Sequence, residues 1–106
     1  MSDIIKKALS GERGEDQKCI AEAVVIWGEL LLKKNQDYGS SVWETPILAP
    51  ECDPGTAIRV RMSDKISRLN QLLKNENTPE VAESIWDTIS DLGAYCLLEL
   101  ARPKNA

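Results

Sequence analysis

Residues 78–103 read TPEVAESIWDTISDLGAYCLLELARP, and this stretch decides the fold. Thr78 followed by Pro79 is a helix start: the hydroxyl can accept from a free first-turn amide, and proline at the first helical position has no N–H to lose. Pro103 closes the other end, because proline cannot continue a helix. Between them Val81, Ile85, Ile89, Leu92 and Cys96 recur at steps of three and four, the period of one helix face. Those residues are the expected buried stripe of a helix over residues 79–101.

Three more helices follow from the same reasoning. Ser2 caps a short helix over residues 3–10, which Gly11 ends. A longer one covers residues 15–36, with Ile20, Val24, Trp27 and Leu31 on one face and Lys33 and Lys34 near its C-terminal end, where cations suit the helix dipole. Gly39 supplies its left-handed stop. The third covers residues 57–74, with Ile58, Met62, Ile66, Leu69 and Leu73 as its apolar stripe. Trp27 and Trp86, inside helices, are expected to be packing residues. No stretch shows strand alternation. The expected fold is all-α: one domain over residues 1–106, a four-helix antiparallel bundle-like unit with a long loop between helices two and three. A core this small is often supplemented by oligomerisation, here as a homodimer or homotetramer.

Composition narrows the function. The chain has 106 residues, 42 % hydrophobic, and a net charge of −4, which argues against direct nucleic-acid binding. It has no apolar run long enough to span a membrane and no signal-peptide-like start. Cys19, Cys52 and Cys96 are odd in number and lack metal-type spacing, so they read as reduced thiols of a cytoplasmic protein. The sequence contains no histidine, so any metal is held by oxygen, which favours Mg²⁺ or Mn²⁺.

The fourth helix carries Glu80, Glu83, Asp87 and Asp91 on one face, and no Lys or Arg occurs between Lys74 and Arg102. A solvated acidic face is one reading. A metal site is the other, since like charges four apart repel and Asp91 borders the apolar LGAYCLL. The third helix offers the complement, with Arg61, Asp64, Lys65 and Arg68 in RVRMSDKISRL. Cations there suit phosphate oxygens, and carboxylates suit a divalent ion that carries a triphosphate. The same pattern also suits plain salt bridges between the two helices. Asp37, Tyr38 and Trp43 lie where the chain leaves helix two, and the aromatics could frame a nucleobase. For Trp43 a fold-back onto the small core or a subunit interface is the alternative.

Three motifs in order, KNQDYGSS, IRVRMSDKISRL and ESIWDTISDLGAY, resemble the family called nucleotide modification associated domain 1, small domains of phages and bacteria. The resemblance covers roughly residues 31–100. The helix order and acidic fourth helix are also similar, more distantly, to the all-α nucleoside triphosphate pyrophosphohydrolases of the MazG and dimeric dUTPase type. Here Thr88 stands where an ExxD ending at Asp91 would have its glutamate. The resemblance implies Mg²⁺-dependent hydrolysis of a (deoxy)nucleoside triphosphate to monophosphate and pyrophosphate, in the host cytoplasm if phage-encoded. Together with the charged rows and the loop aromatics, this gives the expected site: Glu83, Asp87 and Asp91 on the metal, Arg61, Lys65 and Arg68 on phosphates, Asp64, Lys65 and Glu83 in catalysis, and Asp37, Tyr38 and Trp43 around the base. The alternative is a non-enzymatic nucleotide-binding protein or assembly partner in nucleotide or DNA modification.

Overall fold

A computed structural model describes residues 2–39, 41–75 and 78–104, except for the side chain of Tyr38. The described residues form helices α1 (Asp3–Ser10), α2 (Glu15–Tyr38), α3 (Pro54–Leu73) and α4 (Pro79–Ala101), with a short 3₁₀ turn at Ser41–Trp43 and no strand. The all-α expectation holds. The chain divides into two compact units, Met1–Gly39 and Ser40–Ala106.

In the first unit α1 packs on α2. The Ser2 hydroxyl caps α1 by accepting from the Ile5 amide at 3.3 Å. Gly11 ends the helix at φ 93°, a left-handed conformation that costs glycine little. Ala8 and Ala21 are the buried side chains of this unit. The expected α2 stripe is only partly covered: Trp27 and Leu31 are half-buried, whereas Ile20 and Val24 are exposed. The helix also runs beyond residue 36 to Tyr38, where Gly39 takes φ 70° and its amide donates to the Asn35 carbonyl at 2.7 Å.

In the second unit α3 and α4 pair antiparallel, which places Lys65 beside Asp91 and Gly55 beside Arg102. The α3 helix begins at Pro54 rather than residue 57. Asp53 caps it, accepting from the Thr56 amide at 2.9 Å and the Thr56 hydroxyl at 2.7 Å. The amide bond, then the hydroxyl, hold the Asp53 carboxyl below its ordinary pKa. Ile58 is completely enclosed, with Gly55 and Ala57 buried close to it in sequence. Thr78 caps α4 as expected, accepting from the Val81 amide at 3.2 Å.

The buried stripe of α4 differs from the expected one. Val81, Ile85 and Leu92 keep their inward positions, but Ile89 and Cys96 are exposed and Trp86 is on the surface rather than packed. Their inward places go to Thr88, Tyr95 and Glu99. Thr88 can be buried because its hydroxyl donates to the Ser84 carbonyl at 2.7 Å, leaving no unpaired donor.

Candidate functional site

The α3–α4 pair has two unlike flanks, set by the helical period and by which residues face inward. On one flank α3 presents Arg61, Asp64, Lys65 and Arg68, and α4 presents Glu83, Asp87 and Asp91. Among the described residues the two rows meet at the ion pair Lys65 Nζ to Asp91 Oδ2, at 3.2 Å. Both partners are about a third exposed, so water and salt screen the pair and its contribution is small. Arg61, Asp64, Arg68, Glu83 and Asp87 are exposed and form no ion pair among the described residues.

Among the described residues no three Asp, Glu or Cys side chains gather closely enough to hold an ion. Asp91 is engaged by Lys65, and Asp87 and Glu83 are exposed one and two turns nearer the start of α4. That arrangement does suit an ion delivered with a nucleotide. Mg²⁺ that keeps its waters and phosphate oxygens needs only one or two protein carboxylates.

The residues expected around a base are divided between the units. Asp37 is exposed in the last turn of α2, and the Tyr38 side chain lies outside the described residues. Trp43 belongs to the second unit and is half-buried there, its indole N–H donating to the Leu98 carbonyl at 3.1 Å. The carbonyls of residues 98–101 have no partner inside α4, which ends at Ala101, so Trp43 satisfies one of the helix's free acceptors. The 3₁₀ turn that carries Trp43 packs on α3. The long connection is thus pinned at one end by Trp43 and at the other by the Asp53 cap, while Ile47 and Leu48 between them are almost fully exposed.

Glu99 and Arg102 form a second polar cluster that the sequence reading passed over. Arg102 donates through Nε at 3.3 Å and Nη2 at 2.9 Å to Glu99 Oε1. Glu99 Oε2 is buried and accepts no hydrogen bond among the described residues. The guanidinium lies close to the first turn of α3: a Cβ on Gly55 would meet Nη2 at 3.2 Å, so a larger residue there would have to displace it by a few tenths of an ångström. Glu99 and Arg102 are three apart, a spacing that signals such a pair on a helix.

No helix among the described residues is long and apolar enough to cross a membrane. Compared with protein-family models, curated proteins and solved structures, the chain matches none.

Proposed function

We propose that the charged flank of α3 and α4 binds a Mg²⁺ (or Mn²⁺) complex of a (deoxy)nucleoside triphosphate and promotes its hydrolysis to monophosphate and pyrophosphate. The observation that carries this reading is the juxtaposition of two exposed, incompletely neutralised rows of opposite charge on neighbouring helices. Arg61, Lys65 and Arg68 would take phosphate oxygens, Arg as a planar fork and Lys as a point charge. Glu83, Asp87 and Asp91 would face the ion that accompanies the triphosphate, with Asp91 exchanging Lys65 for it. Asp64, Lys65 and Glu83 would act in catalysis, a nearby carboxylate taking the proton of the attacking water. Trp43 would offer a base a ring face only, because its N–H is committed to Leu98. In this reading the chain is a homo-oligomer, with its helix pairs completed into bundles there, and works in the cytoplasm.

A second reading is a non-enzymatic nucleotide-binding protein or assembly partner, favoured by the Lys65–Asp91 pair, which already gives the carboxylate nearest the basic row a counter-charge. Incubating the protein with a nucleotide panel and Mg²⁺ separates the two. Pyrophosphate release that Asp87→Ala abolishes, with helicity unchanged, supports hydrolysis. Saturable binding with intact nucleotide recovered supports the second reading, and an unchanged rate in Asp87→Ala refutes the assignment of the acidic row.

A further inference from the structure

The flank of α4 turned away from the charged rows carries a pattern that the function does not use. Trp86, Ile89, Leu97 and Leu100 are 62 %, 53 %, 36 % and 84 % exposed, although all four are large and apolar. They lie symmetrically about Gly93: Ile89 and Leu97 four residues to either side, Trp86 and Leu100 seven. At about 100° per residue these positions fall in one stripe centred on Gly93. Glycine is a poor choice inside a helix unless another backbone must come close.

We propose that this stripe is the contact surface for a second copy of the chain, the two α4 helices crossing antiparallel with Gly93 on the two-fold axis. The mirror spacing is the argument for a second copy over any other occupant. A two-fold through Gly93 lays Trp86 of one copy against Leu100 of the other and Ile89 against Leu97, which is the self-complementarity an isologous interface requires. The area is also sufficient. By the helical period Ile66 and Leu73 of α3, 46 % and 62 % exposed, fall on the side of that helix away from Arg61 and Arg68, the side of the helix pair to which the stripe belongs. At about 200 Å² per fully exposed large side chain, the six residues offer about 700 Å² per copy, near the ~800 Å² per partner of a standard interface. The acidic row lies about 120° round α4 from the stripe. Dimerisation therefore leaves the charged flank open, one to each chain.

The inference does not rest on the nucleotide reading, and its test is separate. Sedimentation equilibrium of the full chain is expected to give the mass of two copies, and Leu100→Lys to weaken association at least 100-fold while far-UV helicity is kept. A chain with Cys19→Ser, Cys52→Ser and Cys96→Ser that also carries Gly93→Cys is expected to oxidise to a disulfide-linked dimer, whereas Glu83→Cys in the same background is not. The cross-linking arm decides the matter even if Leu100→Lys fails to fold. A monomeric native chain, association unaffected by Leu100→Lys, or cross-linking from position 83 rather than 93 overturns the proposal.

Discussion

Ile58 is the most informative place to perturb the second unit. It is the one large side chain that is completely enclosed among the described residues, near the start of α3. Ile58→Ala removes three buried carbons, about 2.4 kcal/mol at ~0.8 kcal/mol each. The cavity left behind adds to this, because the neighbours relax only in part, so the expected cost is about 3 kcal/mol. Small domains hold only about 5–15 kcal/mol in total, so this single change removes a large share. Urea unfolding followed by tryptophan fluorescence and by far-UV circular dichroism measures it. Trp43 reports on the unit directly, since its indole is fixed to α4. With an m-value of about 1.5 kcal/mol/M, the midpoint falls by about 2 M at unchanged slope. Ile58→Val, losing one carbon, costs about 1 kcal/mol. A loss under about 1 kcal/mol for Ile58→Ala would refute the placement of Ile58 at the centre of the core.

Trp43→Phe keeps an aromatic ring but removes the donor to Leu98, and should lower stability by about 1 kcal/mol in the same urea assay; no change would mean that the indole bond is not formed in solution. Lys65→Met combined with Asp91→Asn in a double-mutant cycle should show a coupling of about 0.5 kcal/mol that shrinks as salt is added. A coupling above about 2 kcal/mol would instead describe a desolvated pair. The Asp53 cap sets an acid dependence. Because its folded pKa lies below the unfolded one, its stabilisation is complete above the ordinary carboxylate value of about 3.9 and is lost as pH falls through the lower folded value. Urea midpoints measured across that range should therefore fall more steeply for the native chain than for Asp53→Asn, and equal slopes would contradict the cap.

Local signals were legible because they are settled by near neighbours in the chain. Ser2 and Thr78 announce helix starts and cap α1 and α4 as expected. The start of α3 is equally written in Asp53–Pro54, the same cap-then-proline pair as Thr78–Pro79, whereas the apolar stripe alone points to residue 57. The register of α4 was a different matter. LGAYCLL is apolar on every side, so the stripe through Ile89 and Cys96 and the one through Thr88 and Tyr95 are both consistent with a helix. The charged rows could be read from sequence, but not which of their members meet: Arg61, Lys65 and Arg68 are equal candidates until α4 lies against α3, and then Lys65 takes Asp91.

By itself, the sequence determined that the chain is helical, where most helices begin and end, and that acids and bases line separate faces of α4 and α3. Caps, prolines and a 3.6-residue period act within a turn or two and need no distant partner. Only the tertiary structure decided that Ile58 is the enclosed core residue, that Trp43 closes the end of α4, and that Trp86, Ile89, Leu97 and Leu100 are left outside. Burial is a property of two surfaces meeting. Where a helix is apolar all round, the partner that happens to pack against it chooses the inside.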